Sequence, residues 1–335
     1  MRSGRKTTWP GQGLLSVDLK LSVPHPQGMK ANLSRREFIA TSAVASSAAA
    51  LSGALPVSTF AAGKPGPSIV VFSKVFQSLK LDFPDAASLT VEAGLDGIDC
   101  PVRPGGEVLP ERATDDLPRY FNALRARDLQ LPLLTTAITS VASPNAEAIL
   151  RTAKKLGVQF YRLGFVERQS DVASQIRELK AQLNDLAALN KQIGIGALLQ
   201  NHSPAGRTYL GGNLSELREL ISGFDPGQIG IAFDIGHALI VHGEEWKAHF
   251  EQIKSHLKVA YVKDATRAGR WVPFGQGDVG QAGYFKMLKQ LGYKAPISLH
   301  IEFDWSDKGK SKTRSALLKA LKDSSRVLKQ WLAEA

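Results

Sequence analysis

A single cysteine, Cys100, is all the thiol chemistry in 335 residues. One thiol makes no internal disulfide and no paired-cysteine zinc site, so the fold must stand on packing alone. Aromatic residues are sparse, at 7%. No G-x-G-x-x-G turn follows the first apolar strand pattern, so a dinucleotide fold lacks its main support. No internal repeat stands out, and no run approaches the roughly 20 strongly apolar residues of a membrane span.

What is present suits a globular enzyme-sized chain. With 43% hydrophobic and 22% charged residues, collagen, coiled coil and wholesale disorder are excluded. The formal charge is +11, but residues 1–61 hold seven Lys/Arg against two acids. Over the rest of the chain the basic residues are interspersed with acids rather than gathered into a block. No nucleic-acid partner is expected from so scattered a surplus.

The first sixty residues read as an address. Arg35-Arg36-Glu37-Phe38-Ile39 precedes a weakly apolar run of Ala, Ser, Val, Gly and Leu ending near Leu55, followed by the small-x-small site Thr59-Phe60-Ala61. This order resembles a twin-arginine export signal, which implies the export machinery as a partner and a periplasmic or secreted location. A permanent membrane anchor is not expected, because the run is short and rich in Ser and Gly. Met29-Lys30 is a more natural start than Met1. Residues 1–61 are therefore set aside as extension and signal, and 62–335 as the folded domain.

From Ser68 onward, short β-branched runs alternate with longer amphipathic stretches, the pattern of a parallel sheet covered by helices. Strands are expected at 68–72, 97–100, 131–135, 159–163, 195–200, 229–234, 259–263 and 297–302. Helices are expected over 84–93, 145–156, 282–291 and 313–333, the first three stopped by Gly94, Gly157 and Gly292. Eight such units in about 270 residues predict one α/β domain, a closed (β/α)8 barrel.

A barrel does its chemistry at the carboxyl ends of its strands, and polar residues collect there. Arg103 follows strand two, Thr135 and Thr136 end strand three, and Arg162 ends strand four. Gln200-Asn201-His202 ends strand five, Asp234 and His237 strand six, Lys263-Asp264 strand seven, and His300 with Glu302 strand eight. Residues two apart face the same way, which aims Gln200 with His202, Tyr261 with Lys263, and His300 with Glu302 into one mouth. His242, His249 and His256 fall on the helix after strand six and are expected at the surface.

Several segments together resemble the xylose isomerase-like superfamily, in its sugar phosphate isomerase/epimerase and inosose dehydratase group, over residues 68–333. They are Gly94-Leu95-Asp96-Gly97-Ile98-Asp99, Phe233-Asp234-Ile235-Gly236-His237, Val262-Lys263-Asp264, Pro273-Phe274-Gly275-Gln276-Gly277 with Asp278, and Pro296 to Glu302. The resemblance implies a divalent metal (Mn, Mg, Co or Zn) at the mouth. Asp234 and Glu302 stand at two of the ligand positions. Gln200 stands where the family has a glutamate, and Tyr261 where it has a histidine, a vacancy for His202, His237 or His300 to fill. A neutral phenol is a poor ligand.

Because an amide is no general base, Gln200 weakens a two-base epimerisation and leaves a single-base reaction on a carbohydrate or keto-sugar. In it, Glu302 or a histidine takes a proton beside a carbonyl, and Lys263 or His237 returns one. The Lys263 ammonium, facing Asp234 and Glu302, also allows a metal-free version. Arg103, Arg162, Asn201, His202, His300 and Trp271 are the candidate substrate contacts; Phe274 and Trp305 either stack on a sugar or cap the barrel. A DNA-repair nuclease of the same superfamily needs more His and Glu ligands than this chain offers. The remaining alternative is a non-catalytic periplasmic carbohydrate-binding barrel. Oligomeric state is left open.

Overall fold

The computed structural model describes residues 66–309 and 311–335; the expected export signal, with Arg35 and Arg36, lies outside them. Eight strands close in sequence order into a barrel: β1 (Ile69–Phe72), β2 (Gly97–Val102), β3 (Gln130–Thr136), β4 (Phe160–Arg162), β5 (Gly196–Gln200), β6 (Ile229–Asp234), β7 (Leu257–Val262) and β8 (Ile297–Leu299). Every neighbouring pair is parallel, and Val70 opposite Ser298 closes the ring between β1 and β8. All eight lie where the apolar runs predict. β8 stops at Leu299, so His300 and Glu302 stand just beyond it in the mouth.

Around the barrel, in chain order, run α1 (Phe83–Glu92), α2 (Ala113–Arg125), α3 (Ala146–Lys155), α4 (Val172–Ile193), α5 (Leu214–Ile221), α6 (Ile235–His242), α7 (Trp246–Ile253), α8 (Tyr284–Gln290) and α9 (Arg314–Glu334). Local chemistry sets their ends. The Asp82 side chain accepts the Asp85 N–H at the start of α1, Asp171 does the same for Ser174 at α4, and Thr313 for Ala316 at α9. After β6 the expected single helix is two, α6 and α7, parted by the turn Gly243–Glu245. His242 and His249 are half-buried in that corner, and His242 Nε2 accepts the Leu214 N–H at 3.1 Å, so His242 is a strut rather than a surface residue.

Two cores follow from strand alternation. The larger lies between sheet and helices; the smaller, Val70, Leu133, Leu198, Ala232, Val259 and Tyr261, fills the barrel axis. Above it sits a buried polar layer. Asp99 is fully buried and accepts from Thr135 Oγ1 at 2.8 Å and Ser298 Oγ at 2.9 Å, and the Tyr261 hydroxyl lies 3.3 Å from Thr135. Burial lifts the Asp99 carboxyl to about 6 against the pull of those hydroxyls. This layer is the floor on which the mouth residues stand.

Candidate active site

The carboxyl end of the strands opens on a recess of about 90 Å³ lined by Phe72, Lys74, Arg103, Thr135, Arg162, Phe165, Gln200, His202, Tyr261, Lys263, His300 and Glu302. Ten of these twelve side chains are polar or ionisable. A larger hollow of about 530 Å³ lies at the other end of the strands, beside Ile69 and Asp96, away from the converging groups.

β6 runs into α6 without a loop, so Asp234 is at once the last strand residue and the helix N-cap. Its Oδ1 accepts the His237 N–H at 3.2 Å. That turn places His237 beneath Lys263, the first residue past β7. Lys263 Nζ lies 3.0 Å from Asp234 Oδ2 and 2.9 Å from His237 Nε2, with the Trp271 ring centroid 4.9 Å away. Gly236 permits the approach: a Cβ there would sit 3.0 Å from the Lys263 carbonyl oxygen and 3.1 Å from Trp271. All three members of the Asp234–Lys263–His237 cluster are buried. Lys263 spends two N–H groups on it, and a third is left for the recess.

Protonation follows from the contacts. Burial, then the Lys263 charge, drives His237 well below the usual histidine range, so it is neutral. His237 Nδ1 accepts the Ser203 N–H at 3.1 Å and lies 2.8 Å from Ser203 Oγ, while its Nε2 faces Lys263 Nζ. His202, its ring centroid 3.8 Å from that of His237, is lowered to about 4 by burial and then by Lys263. Its Nδ1 lies 2.6 Å from the Ser203 carbonyl oxygen and donates to it, which leaves Nε2 as an acceptor. His300 is also neutral, pushed well down by burial, and its Nε2 has no partner among the described residues.

Across the recess Glu302 is about one-fifth exposed. Lys74 Nζ lies 3.1 and 3.2 Å from its two oxygens. The expectation that Lys263 faces both carboxylates is therefore corrected: Lys263 holds Asp234, and Lys74 holds Glu302. Lys74 went unnoticed because it stands in the 3₁₀ turn after β1, two residues beyond the strand.

The implied cation fits this donor set poorly. Asp234 Oδ2 is taken by Lys263 and by Gln200 Nε2 at 3.1 Å, Oδ1 by the His237 amide, and Glu302 by Lys74. Among the described residues no three His, Cys, Asp or Glu side chains converge on one point. A hard divalent ion wants about six oxygen ligands; Asp234, Glu302, Gln200 and His202 do not form such a set, and an ammonium occupies the place where the charge is needed.

Two substrate-contact expectations are also corrected. Asn201 is fully buried, with Nδ2 donating to the Asp234 carbonyl oxygen and Oδ1 accepting the Asp234 N–H, both at 2.8 Å. It clips the end of β5 to β6 and has nothing to offer a ligand. Trp271 packs edge-on against His237, ring centroids 4.9 Å apart, and roofs Lys263 rather than lining the recess. Phe274 and Trp305 are buried away from the mouth, Phe274 stacking on Trp331 of α9. Arg103, Arg162, His202 and His300 all line the recess.

A closed barrel with a polar recess at its carboxyl end defines an α/β barrel of the kind that builds active sites from strand ends. The match to a family model over residues 87–331, most of the chain, makes it a member of the xylose isomerase-like TIM barrel family. No curated protein matches it. Among solved structures it is similar to 3-keto-D-glucoside 4-epimerase from E. coli (13% identity, 79% of this chain, 99% of that one, TM-score 0.61). D-allulose 3-epimerase from Methylomonas sp. is comparable (17%, 80%, 99%, 0.60), as is D-psicose 3-epimerase with D-tagatose from Clostridium cellulolyticum H10 (12%, 79%, 95%, 0.56). At such identities the likeness is one of fold. Among the described residues no helix is long and apolar enough to cross a membrane.

Proposed function

We propose that this chain is an exported sugar isomerase/epimerase-like enzyme that abstracts a proton beside the carbonyl of a keto-sugar. The observation that supports it most is the buried Asp234–Lys263–His237 cluster, with Nζ 3.0 and 2.9 Å from its two partners, on a recess that also holds the Glu302 carboxylate. The kinship of the fold to sugar 3- and 4-epimerases agrees with it, as does Arg35-Arg36 for export.

The recess is small and opens to solvent, so a sugar inserts one edge. Glu302 takes the hydrogen from the carbon beside the carbonyl. The C–H pair becomes the C=C bond of an enediolate, and the carbonyl π pair moves to oxygen. Lys263, an ammonium fixed by Asp234, meets that oxygen with its remaining N–H, where low local dielectric magnifies its charge. His237 holds Lys263 in place from the side opposite Asp234. Return of the proton to the neighbouring carbon, with the hydroxyl proton passing from one enediolate oxygen to the other, gives aldose–ketose isomerisation; departure of a β-substituent gives elimination. Gln200 supplies no second base, so one carboxylate serves both directions.

The test is exchange of carbon-bound hydrogen into heavy water, followed by NMR across neutral and keto-sugars. Wild type exchanges one position, and Glu302→Gln loses about 10²–10⁴-fold of the rate while still binding sugar. Binding without exchange in wild type would sink this reading in favour of a carbohydrate-binding barrel.

A further inference from the structure

Four cationic side chains line the recess: Lys74, Arg103, Arg162 and Lys263. Two are matched, Lys74 by Glu302 and Lys263 by Asp234. Arg103 and Arg162 form no ion pair with any described residue, although Arg162 is only 3% exposed. The Arg162 guanidinium has five N–H groups to place. Nη1 donates to the Leu163 carbonyl oxygen, and Nε, fully buried, has no partner among the described residues.

Aromatic faces cover both guanidinium planes, and the Tyr261 hydroxyl is the side-chain hydrogen-bond partner within reach of Arg162. Arg162 lies 4.4 Å from the Phe165 ring centroid, and Arg103 lies 5.7 Å from that of Phe72. The two also repel. Burial first, with the Arg103 charge adding to it, lowers Arg162 to about 10; the nearby Tyr261 and Asp99 oppose the shift. Asp99 acts on Arg162 through its charge alone and gives it no hydrogen bond, because its two oxygens accept the Thr135 and Ser298 hydroxyls. A buried guanidinium without an anion is costly. Buried Arg162 and half-exposed Arg103, turned to one recess without a directly bonded carboxylate, leave positive charge that an anionic ligand would meet.

We propose that the substrate is an acidic sugar, a monosaccharide carrying a carboxylate, with that carboxylate held between Arg103 and Arg162. This names the substrate class of the site proposed above and rests on that reading. The fork of a guanidinium matches a planar carboxylate in two parallel hydrogen bonds, and a recess of about 90 Å³ has room for that group. With the acid end anchored, the carbonyl end is left to Glu302 and Lys263.

The experiment is titration calorimetry of the purified full chain with D-glucuronate and D-galacturonate, their neutral parents D-glucose and D-galactose, and glucose 6-phosphate. The uronates bind at least about tenfold more tightly than the neutral sugars, the equivalent of one charge-assisted hydrogen bond. Arg162→Gln and the more exposed Arg103→Gln each erase that preference, lowering uronate affinity by more than neutral-sugar affinity. Arg103→Gln keeps the test valid if the buried variant does not fold.

Equal affinity for neutral sugars overturns the proposal. So does tighter binding of the phosphate ester, an equal loss for both sugar classes on Arg103→Gln, or no uronate binding at millimolar concentration. Uronate binding with no hydrogen exchange on any sugar leaves this inference standing and removes the carbon-acid reaction. Exchange on neutral sugars without uronate preference does the reverse.

Discussion

Lys263 holds the site together by charge. Asp234 is fully buried, and burial raises its carboxyl while the lysine opposes that rise. Lys263→Met strands the carboxylate, and losing one partner of a buried pair costs about 3–5 kcal/mol. Chemical denaturation measures it, and adding Asp234→Asn to the same chain restores part of the loss. If the double variant is no more stable than Lys263→Met alone, the pair is not what holds this corner.

Asp99 gives the opposite sign. Its folded value of about 6 stands above its ordinary 3.8, so between those pH values the folded chain binds a proton that the unfolded chain has released. Stability from this residue is present below pH 4 and lost as pH rises through 6, on the order of 3 kcal/mol in all. In Asp99→Asn that slope is absent, so from pH 4 to 7 the variant gains on wild type by about that amount. A constant difference across the range refutes the assignment.

Single residues were legible to different depths. Strand ends exposed Arg103, Arg162, Lys263 and Glu302 because side-chain period and barrel polarity are local rules. The role of Asn201 was hidden, since its partners are backbone groups that only the β5–β6 register brings near.

At the scale of elements, the β-branched runs mark all eight strands, and helix stops are marked by glycine. What fails is the length of connections, as where α6 and α7 divide at Gly243. The loop after β7 shows why. Asp264 accepts the N–H groups of Ala265, Gly275, Gly277 and Val279, at 2.8 to 3.3 Å. Gly277 is required there, because a Cβ would lie 2.4 Å from Asp264 Oδ1 and 2.6 Å from the Ala265 carbonyl oxygen. One carboxylate therefore folds a loop of some fifteen residues that carries Trp271 over Lys263. Nothing in local sequence period announces such a hub. Asp264→Ala unpairs four amides, costs about 3 kcal/mol or more, and opens this loop to protease ahead of the barrel. Cleavage mapping by limited proteolysis checks it, and an unchanged digestion pattern would show that the loop holds itself.

At the scale of the whole molecule, closure of the barrel was legible from the count of β/α units, while the electrostatic plan of its mouth was not. Strand-end acids and a family likeness suggest a cation held by carboxylates. The folded chain instead gives each carboxylate its own lysine, one from the end of β7 and one from beyond β1, on strands that only ring closure brings to a common rim. Lys74 and Glu302 are 228 residues apart and adjacent in space. In the proposed reaction the charge that meets the developing oxyanion would thus be covalently part of the chain, its supply independent of metal concentration. Exhaustive chelation is accordingly expected to leave both the thermal midpoint and the hydrogen-exchange rate unchanged, and added Mn²⁺ to raise neither. A fall in exchange on chelation, restored by a divalent ion, would mean that Asp234 and Glu302 leave their lysines for a metal in the working enzyme.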